Sequence, residues 1–178
     1  EIIRSEIVRL NPLDELEAAQ IAETLDWIDT GTELFRIEKP ATPPQHLVSY
    51  FLLVDGDHLL LVDHIKAKLW LPTGGHVDPR EHPKETVRRE VVEELGIEAE
   101  FLSEAPIFLT VAQTVGLTAG HTDVSLWYAL KGERGMYLDF DGSEFHSVKW
   151  FHKYDVPFER SDPHLKRFLA KLGRGQSH

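Results

Sequence analysis

The sequence of 178 residues contains no cysteine. A disulfide framework, a thiolate zinc site and a cysteine nucleophile are excluded at once. Basic residues are also scarce. Lysine and arginine total 19 against 30 aspartates and glutamates, a formal net charge of −11. Such a surface repels a phosphate backbone, so no nucleic-acid polymer is expected as partner. A single nucleotide is not excluded, because a local base or a bound cation reverses the sign within one cleft. No apolar run reaches membrane-spanning length and no signal peptide opens the sequence, so cytoplasmic residence without a membrane partner is expected. Internal repeats and low-complexity tracts are absent, and the histidines have no His-Glu-x-x-His or similar spacing, so no zinc site is expected from them.

What is present describes one globular domain. Hydrophobic residues make up 42% and charged residues 28%, and the length suits a single core spanning residues 1–178. Residues 1–10 alternate weakly and read as a short strand. Asn11, Pro12, Asp14 and Glu15 then open a helix expected over 12–29, with Ile21, Leu25 and Ile28 at helical spacing and Gly31 near its end. The proline-rich "EKPATPPQ" is an extended connector. "LVSYFLLV" and "HLLLVDHI" flank the turn signal "DGD" and predict a hairpin. "KLWLP", "EAEFLS", "IFLTVAQTV", "TDVSLWYAL" and "HSVKWF" are further strands. A closing helix is expected over 162–172, carried by Leu165, Phe168, Leu169 and Leu172, with a disordered tail over 174–178. The sum is a mixed α/β domain.

The segment "GGHVDPREHPKETVRREVVEELGI" (Gly74 to Ile97) carries the chemistry. Pro83 suits a first helical position and Gly96 a position just past the end, which brackets a helix over 83–95. On its wheel Val87, Val91 and Leu95 form the buried stripe and Val92 extends it. Glu90, Glu93 and Glu94 share another arc, with Glu94 bordering the stripe. Arg88 falls within the apolar arc, where only snorkelling accounts for it. A solvated acidic face is the plain reading of the three glutamates. The other is a cation site: carboxylates clustered at a core edge repel one another unless neutralised, and hard oxygen ligands suit Mg²⁺ or Mn²⁺. Gly74 and Gly75 allow close backbone approach, so a carbonyl can add a further oxygen.

Gly75, five residues, Glu81, seven residues, then Arg89-Glu90-Val91-Val92-Glu93-Glu94-Leu95-Gly96-Ile97 resembles the signature of the Nudix hydrolases at every defined position. The signature spans 23 residues, and a looser likeness spans about 46–155, including "LWLPTGGHVD" and "VKWF". The resemblance implies an α/β/α sandwich with a mixed sheet, to which the helix at 12–29 is an addition. It implies Mg²⁺-dependent cleavage of a nucleoside diphosphate linked to a further group. Matched position by position, Glu93 and Glu94 resemble metal ligands, Glu90 a further ligand or proton acceptor, and the Gly74 carbonyl the backbone ligand. Arg89 and Glu81 resemble the pair that braces the loop. Family members often recruit an acidic residue ahead of the late Trp-containing strand; Glu144 is the first candidate and Asp141 the second. Where related sequences continue with glycine and glutamate, this one reads Asp78-Pro79-Arg80.

The substrate is less legible. A nucleotide is expected, and His76, Arg80, His121, Asp123 and Trp127 are the candidates to contact it, with Phe51 and Trp70 as alternative stacking partners. Each aromatic is more often a core residue. A non-catalytic nucleotide-sensing module of the same fold is the alternative; such modules usually lose a signature glutamate, and none is lost here. Monomer and homodimer are both open.

Overall fold

A computed structural model describes residues 1–39, 42–114 and 120–175. Among them, seven strands form one sheet: β1 (Gln45–Asp55), β2 (His58–His64), β3 (Leu69–Leu71), β4 (Thr73–His76), β5 (Phe108–Gln113), β6 (Thr122–Lys131) and β7 (Phe145–His152). β1 is central. It pairs in parallel with β6 from Gln45↔Thr122 to Val54↔Lys131. On its other side it is antiparallel to β4 near its start and to β2 at its end. β2 carries β3 and β7, and β5 closes the other edge against β6. β1 and β6 are nearly continuous buried runs, as strands covered on both faces must be.

Alternation along these strands builds two large cores, beside a small cluster of Leu47, Val77 and Val124. Phe51, Leu53, Leu126, Tyr128 and Leu130 face helix α3 (Pro83–Leu95), which contributes Val87, Val91 and Leu95. Leu52, Val54, Trp127 and Ala129 face the opposite way, against Leu165 and Phe168 of α4 (Leu165–Gly175). The expected α/β/α sandwich with a mixed sheet is what forms.

Several local expectations are corrected. Residues 2–8 are not a strand but helix α1 (Ile2–Val8). Ile3, Ile7 and Leu10 recur at helical spacing and pack on the α3-side core. Helix α2 (Glu15–Asp29) begins three residues later than expected, because Asp14 is the N-cap and its carboxylate accepts the Glu17 N–H at 2.9 Å. "EAEFLS" is not a strand; among the described residues it contributes an isolated bridge, Phe101↔Leu130. α4 starts at Leu165, three residues after the expected 162, and runs through Gly173 to Gly175, so 174–175 are helical rather than a loose tail. Val115, expected to end a strand, and residues 176–178 of the tail lie outside the described residues. Val92 is 52% exposed and does not extend the buried stripe. Arg88 is exposed, paired with Glu85 at 3.2 Å, and lies over the Phe101 ring at 5.0 Å.

α2 covers the exposed edge of β5. The buried Glu17 carboxylate accepts the Leu109 N–H at 3.3 Å, and Gln20 Nε2 donates to the Val111 carbonyl at 3.1 Å. Residues three apart on one helix thereby satisfy successive edge groups of a strand. Lys171 of α4 pairs with the same Glu17 at 2.6 Å, so one buried carboxylate joins α2, α4 and the sheet edge.

Candidate active site

α3 forms where the sequence places it. Pro83 occupies the first turn, His82 Nδ1 accepts the Lys84 N–H at 3.1 Å, and Gly96 ends the helix with φ +67°. Ser49 of β1 donates to the Pro83 carbonyl at 2.8 Å and anchors the helix start on the sheet. Glu90 and Glu94 therefore face β4. A Cβ on Gly75 would sit 2.1 Å from Glu90 Oε1, so only glycine lets that carboxylate approach. The Gly74 backbone N–H lies close enough to the Glu94 carboxylate to favour its charged form.

The three glutamates differ in environment. Glu93 is 59% exposed. Glu90 is largely buried, and burial, opposed by Arg89 and reinforced by Glu93 and Glu144, raises its carboxyl above the ordinary range. Glu94 is 6% exposed. Burial, with Glu90 and Glu144 nearby, pushes it up to about 9, only partly offset by the Gly74 backbone. Its Oε2 has no hydrogen-bond partner among the described residues.

Arg89 and Glu81 brace this arrangement. The guanidinium fork meets Glu81 with Nε–Oε1 and Nη2–Oε2 both at 3.0 Å, and Nη1 reaches Glu90 Oε1 at 2.5 Å. Nη2 also donates to the His76 carbonyl at 3.3 Å. Burial tends to raise the Glu81 carboxyl, but hydrogen bonds from Arg89 and Thr86 hold it below its ordinary value. The Asp78-Pro79-Arg80 departure keeps its loop. Glu81 N–H closes a turn onto the Asp78 carbonyl at 2.9 Å, and Arg80 takes φ +69°, a corner that normally asks for glycine.

Glu144 approaches from the far end of the helix. Asp139 and Asp141 donate backbone N–H bonds to the Leu95 and Glu94 carbonyls at 3.1 and 3.0 Å, tying the loop before β7 to the end of α3. The exposed Glu144 is thereby close enough to act electrostatically on both Glu90 and Glu94. Asp141 is committed elsewhere: its Oδ1 accepts from Ser143 Oγ and N at 2.6 and 2.8 Å, which lowers its pKa.

The substrate-contact candidates divide. Arg80 lines an open concavity of about 450 Å³ with Ile2, Ile3, Phe35, Glu81 and His82. α1 walls it and is held to the loop by Glu6 and His82 at 3.2 Å. Trp127 does not line a pocket. It is fully buried between Phe108 and Phe168, and its Nε1 donates to Thr110 Oγ1 at 2.9 Å, which leaves no face for a base. Phe51 is equally buried, and Trp70 packs on Phe151.

His76, His121 and Asp123 come together with a residue that the sequence did not single out, His46. Asp123 Oδ1 lies 3.4 Å from His46 Nε2, 3.2 Å from His121 Nε2 and 4.0 Å from His76 Nε2. Burial and the neighbouring Arg36, whose Nη1 is 3.3 Å from His76 Nε2, push His76 down to about 3. The available signal for His46 was register: it is the direct partner of Asp123 across β1 and β6.

The model of the NUDIX domain matches residues 44–172. A NUDIX-family hydrolase from Clostridium perfringens aligns at 22% identity over 74% of this chain and 98% of its own, with a TM-score of 0.59. A MutT NUDIX hydrolase from Burkholderia pseudomallei aligns at 24% identity over 64% of this chain and 87% of its own, TM-score 0.52. The NUDIX domain of Shewanella oneidensis NrtR, solved with ADP ribose, aligns at 16% identity over 75% and 89%, TM-score 0.56. At these identities the solved structures share the fold. No curated protein matches the chain.

Proposed function

The chain belongs to the NUDIX family, and from that premise we propose that it is a Mg²⁺-dependent pyrophosphohydrolase acting on a nucleoside diphosphate derivative. The observation that carries this reading is Glu94: a carboxylate 6% exposed, with one oxygen unpartnered, beside Glu90 and within the field of Glu144. Left alone, such a group takes up a proton; a hard divalent cation satisfies it equally well. Glu90, Glu93, Glu94 and the Gly74 carbonyl are the oxygens that would hold the ion, and Mn²⁺ fits the same donor set.

Bound there, the cation supplies neutralisation of the diphosphate oxygens and a more acidic water. Glu90 is held by Arg89 against Gly75, with its carboxyl raised by burial, and serves as proton acceptor during attack on phosphorus. Arg89 keeps that carboxylate oriented through its fork on Glu81. Arg80, facing the concavity beside the loop, offers its guanidinium to the phosphates, and the apolar Ile2, Ile3 and Phe35 receive the less polar part of the substrate. Glu144 adds a carboxylate from the opposite side.

The test is phosphate release from a panel of nucleoside diphosphate derivatives with Mg²⁺, repeated with Glu94→Gln. Turnover in the parent and a loss of at least about 100-fold in a folded variant support the proposal. Absence of turnover on every compound, with nucleotide binding retained, replaces it with the sensing-module reading. Full activity in the variant removes Glu94 from the chemistry.

A further inference from the structure

We propose that His46, His76, His121 and Asp123 form a second metal site, separate from the glutamate arc and selective for a first-row transition ion such as Zn²⁺. One ligand atom from each residue lies within 4.8 Å of all the others. A tetrahedral ion with Zn–N and Zn–O bonds of about 2.1 Å holds its ligands about 3.4 Å apart. Asp123 Oδ1 already matches that spacing at 3.2 Å from His121 Nε2 and 3.4 Å from His46 Nε2, and lies 4.0 Å from His76 Nε2.

The sheet brings these residues together by register. His46 of β1 is opposite Asp123 of β6, and His76 of β4 is opposite Val48, two residues beyond His46. His121 precedes Asp123 by two. Alternation therefore places His46, His76 and Asp123 on one face of three adjacent strands, and His121 sits beside them one residue ahead of β6. No local sequence spacing reveals such a set.

Hydrogen bonding favours an ion rather than a self-contained network. His46 is wholly buried, and its Nδ1 lies 2.8 Å from the Pro43 carbonyl, an acceptor that can only take a proton from it. Nε2 then faces, at 3.4 Å and outside hydrogen-bond geometry, a carboxylate oxygen that only accepts, so a positive centre is needed between them. Neither His46 Nε2 nor Asp123 Oδ1 has a hydrogen-bond partner among the described residues. A cation between them resolves the conflict, and the Nδ1–carbonyl bond is the outer contact that orients ligating imidazoles. His121 has a comparable support, with Nδ1 at 3.3 Å from Thr114 Oγ1. Three imidazoles with one carboxylate suit Zn²⁺, Ni²⁺ or Co²⁺ and disfavour Mg²⁺. Arg36 competes for His76 Nε2 and must release that nitrogen when the ion enters.

The experiment uses the full chain, stripped of metal and titrated with Zn²⁺, and separately with Co²⁺ for its visible absorption, in excess Mg²⁺. One tight equivalent and a tetrahedral Co²⁺ spectrum are expected. Asp123→Asn and His76→Gln, both at partly exposed positions, should weaken binding at least about tenfold, whereas Glu94→Gln should leave it unchanged. The thermal midpoint should rise with Zn²⁺ in the parent and in Glu94→Gln but not in the other two. Overturning results are no Zn²⁺ binding in excess Mg²⁺, equal binding by the parent and both cluster variants, or loss of the tight equivalent in Glu94→Gln. The last outcome would assign the ion to the glutamate arc.

Discussion

Gly75 and Glu90 are in contact through an absence: the space a side chain would occupy at Gly75 is filled by the Glu90 carboxylate, 2.1 Å from the would-be Cβ. Glu90 holds that position against Arg89 at 2.5 Å. Gly75→Ala should push the carboxylate off Arg89 without disturbing the α3 stripe of Val87, Val91 and Leu95. We expect turnover on diphosphates to fall about 100-fold while stability drops by no more than about 1–2 kcal/mol. Steady-state kinetics beside a urea melt separates the two; a larger loss of stability than of activity would contradict the assignment.

Glu94 sets a pH dependence. Its carboxyl is raised from 4.5 to about 9, chiefly by burial and then by Glu90 and Glu144. The metal-free folded protein therefore keeps a proton that the unfolded chain releases. This contribution to stability is complete below about pH 4.5 and is lost as pH climbs toward about 9. Saturating Mg²⁺ should flatten the decline, because the ion replaces the proton. Thermal midpoints from pH 5 to 9 with EDTA or Mg²⁺ provide the check. In EDTA, Glu94→Gln should remove most of the slope and raise stability near pH 8 by a few kcal/mol. Identical slopes in the parent and the variant would refute the link.

Arg80 occupies a left-handed corner at φ +69°. Such a conformation costs a non-glycine residue roughly 1–2 kcal/mol, part of which glycine returns as extra chain entropy in the unfolded state. Arg80→Gly should stabilise the protein by about 0.5–1 kcal/mol. If the guanidinium meets phosphate, the same change raises KM severalfold with kcat little altered. An unchanged KM would leave Arg80 as a turn residue only.

Glu17 is a fully buried carboxylate shared by Leu109 N–H, Leu13 N–H and Lys171. Glu17→Ala strands Lys171, 11% exposed, without its partner and uncovers the β5 edge. A loss of about 3–5 kcal/mol is expected by chemical denaturation. A chain beginning at Lys39 loses α1 and α2 together and should be less stable, more prone to associate through β5, and less selective among nucleotides. Undiminished stability and selectivity in that truncation would show that neither helix supports the fold or the cleft.

Local order was written in the sequence wherever one element could specify itself. Pro83 and Gly96 bounded α3 to the residue, "DGD" marked the β1–β2 turn, and the spacing of Glu90, Glu93 and Glu94 put three carboxylates on one arc. Helical and strand periods are short-range, so these features survive in any fold that buries the apolar face. Even here the period misleads: Ile3, Ile7 and Leu10 are helical, but a short segment with apolar neighbours at positions 2 and 8 resembles alternation, and "EAEFLS" alternates without forming a strand. What the tertiary structure alone decided depends on contacts between distant segments. The pairing of β1 with β6 places His46 opposite Asp123, 77 residues away, and sends Trp127 into the core instead of a pocket. The loop from Asp139 to Glu144 is carried to the end of α3 by two backbone hydrogen bonds, which no side-chain pattern announces. Strand register and loop docking are settled by which surfaces bury together, and that is a property of the assembled chain.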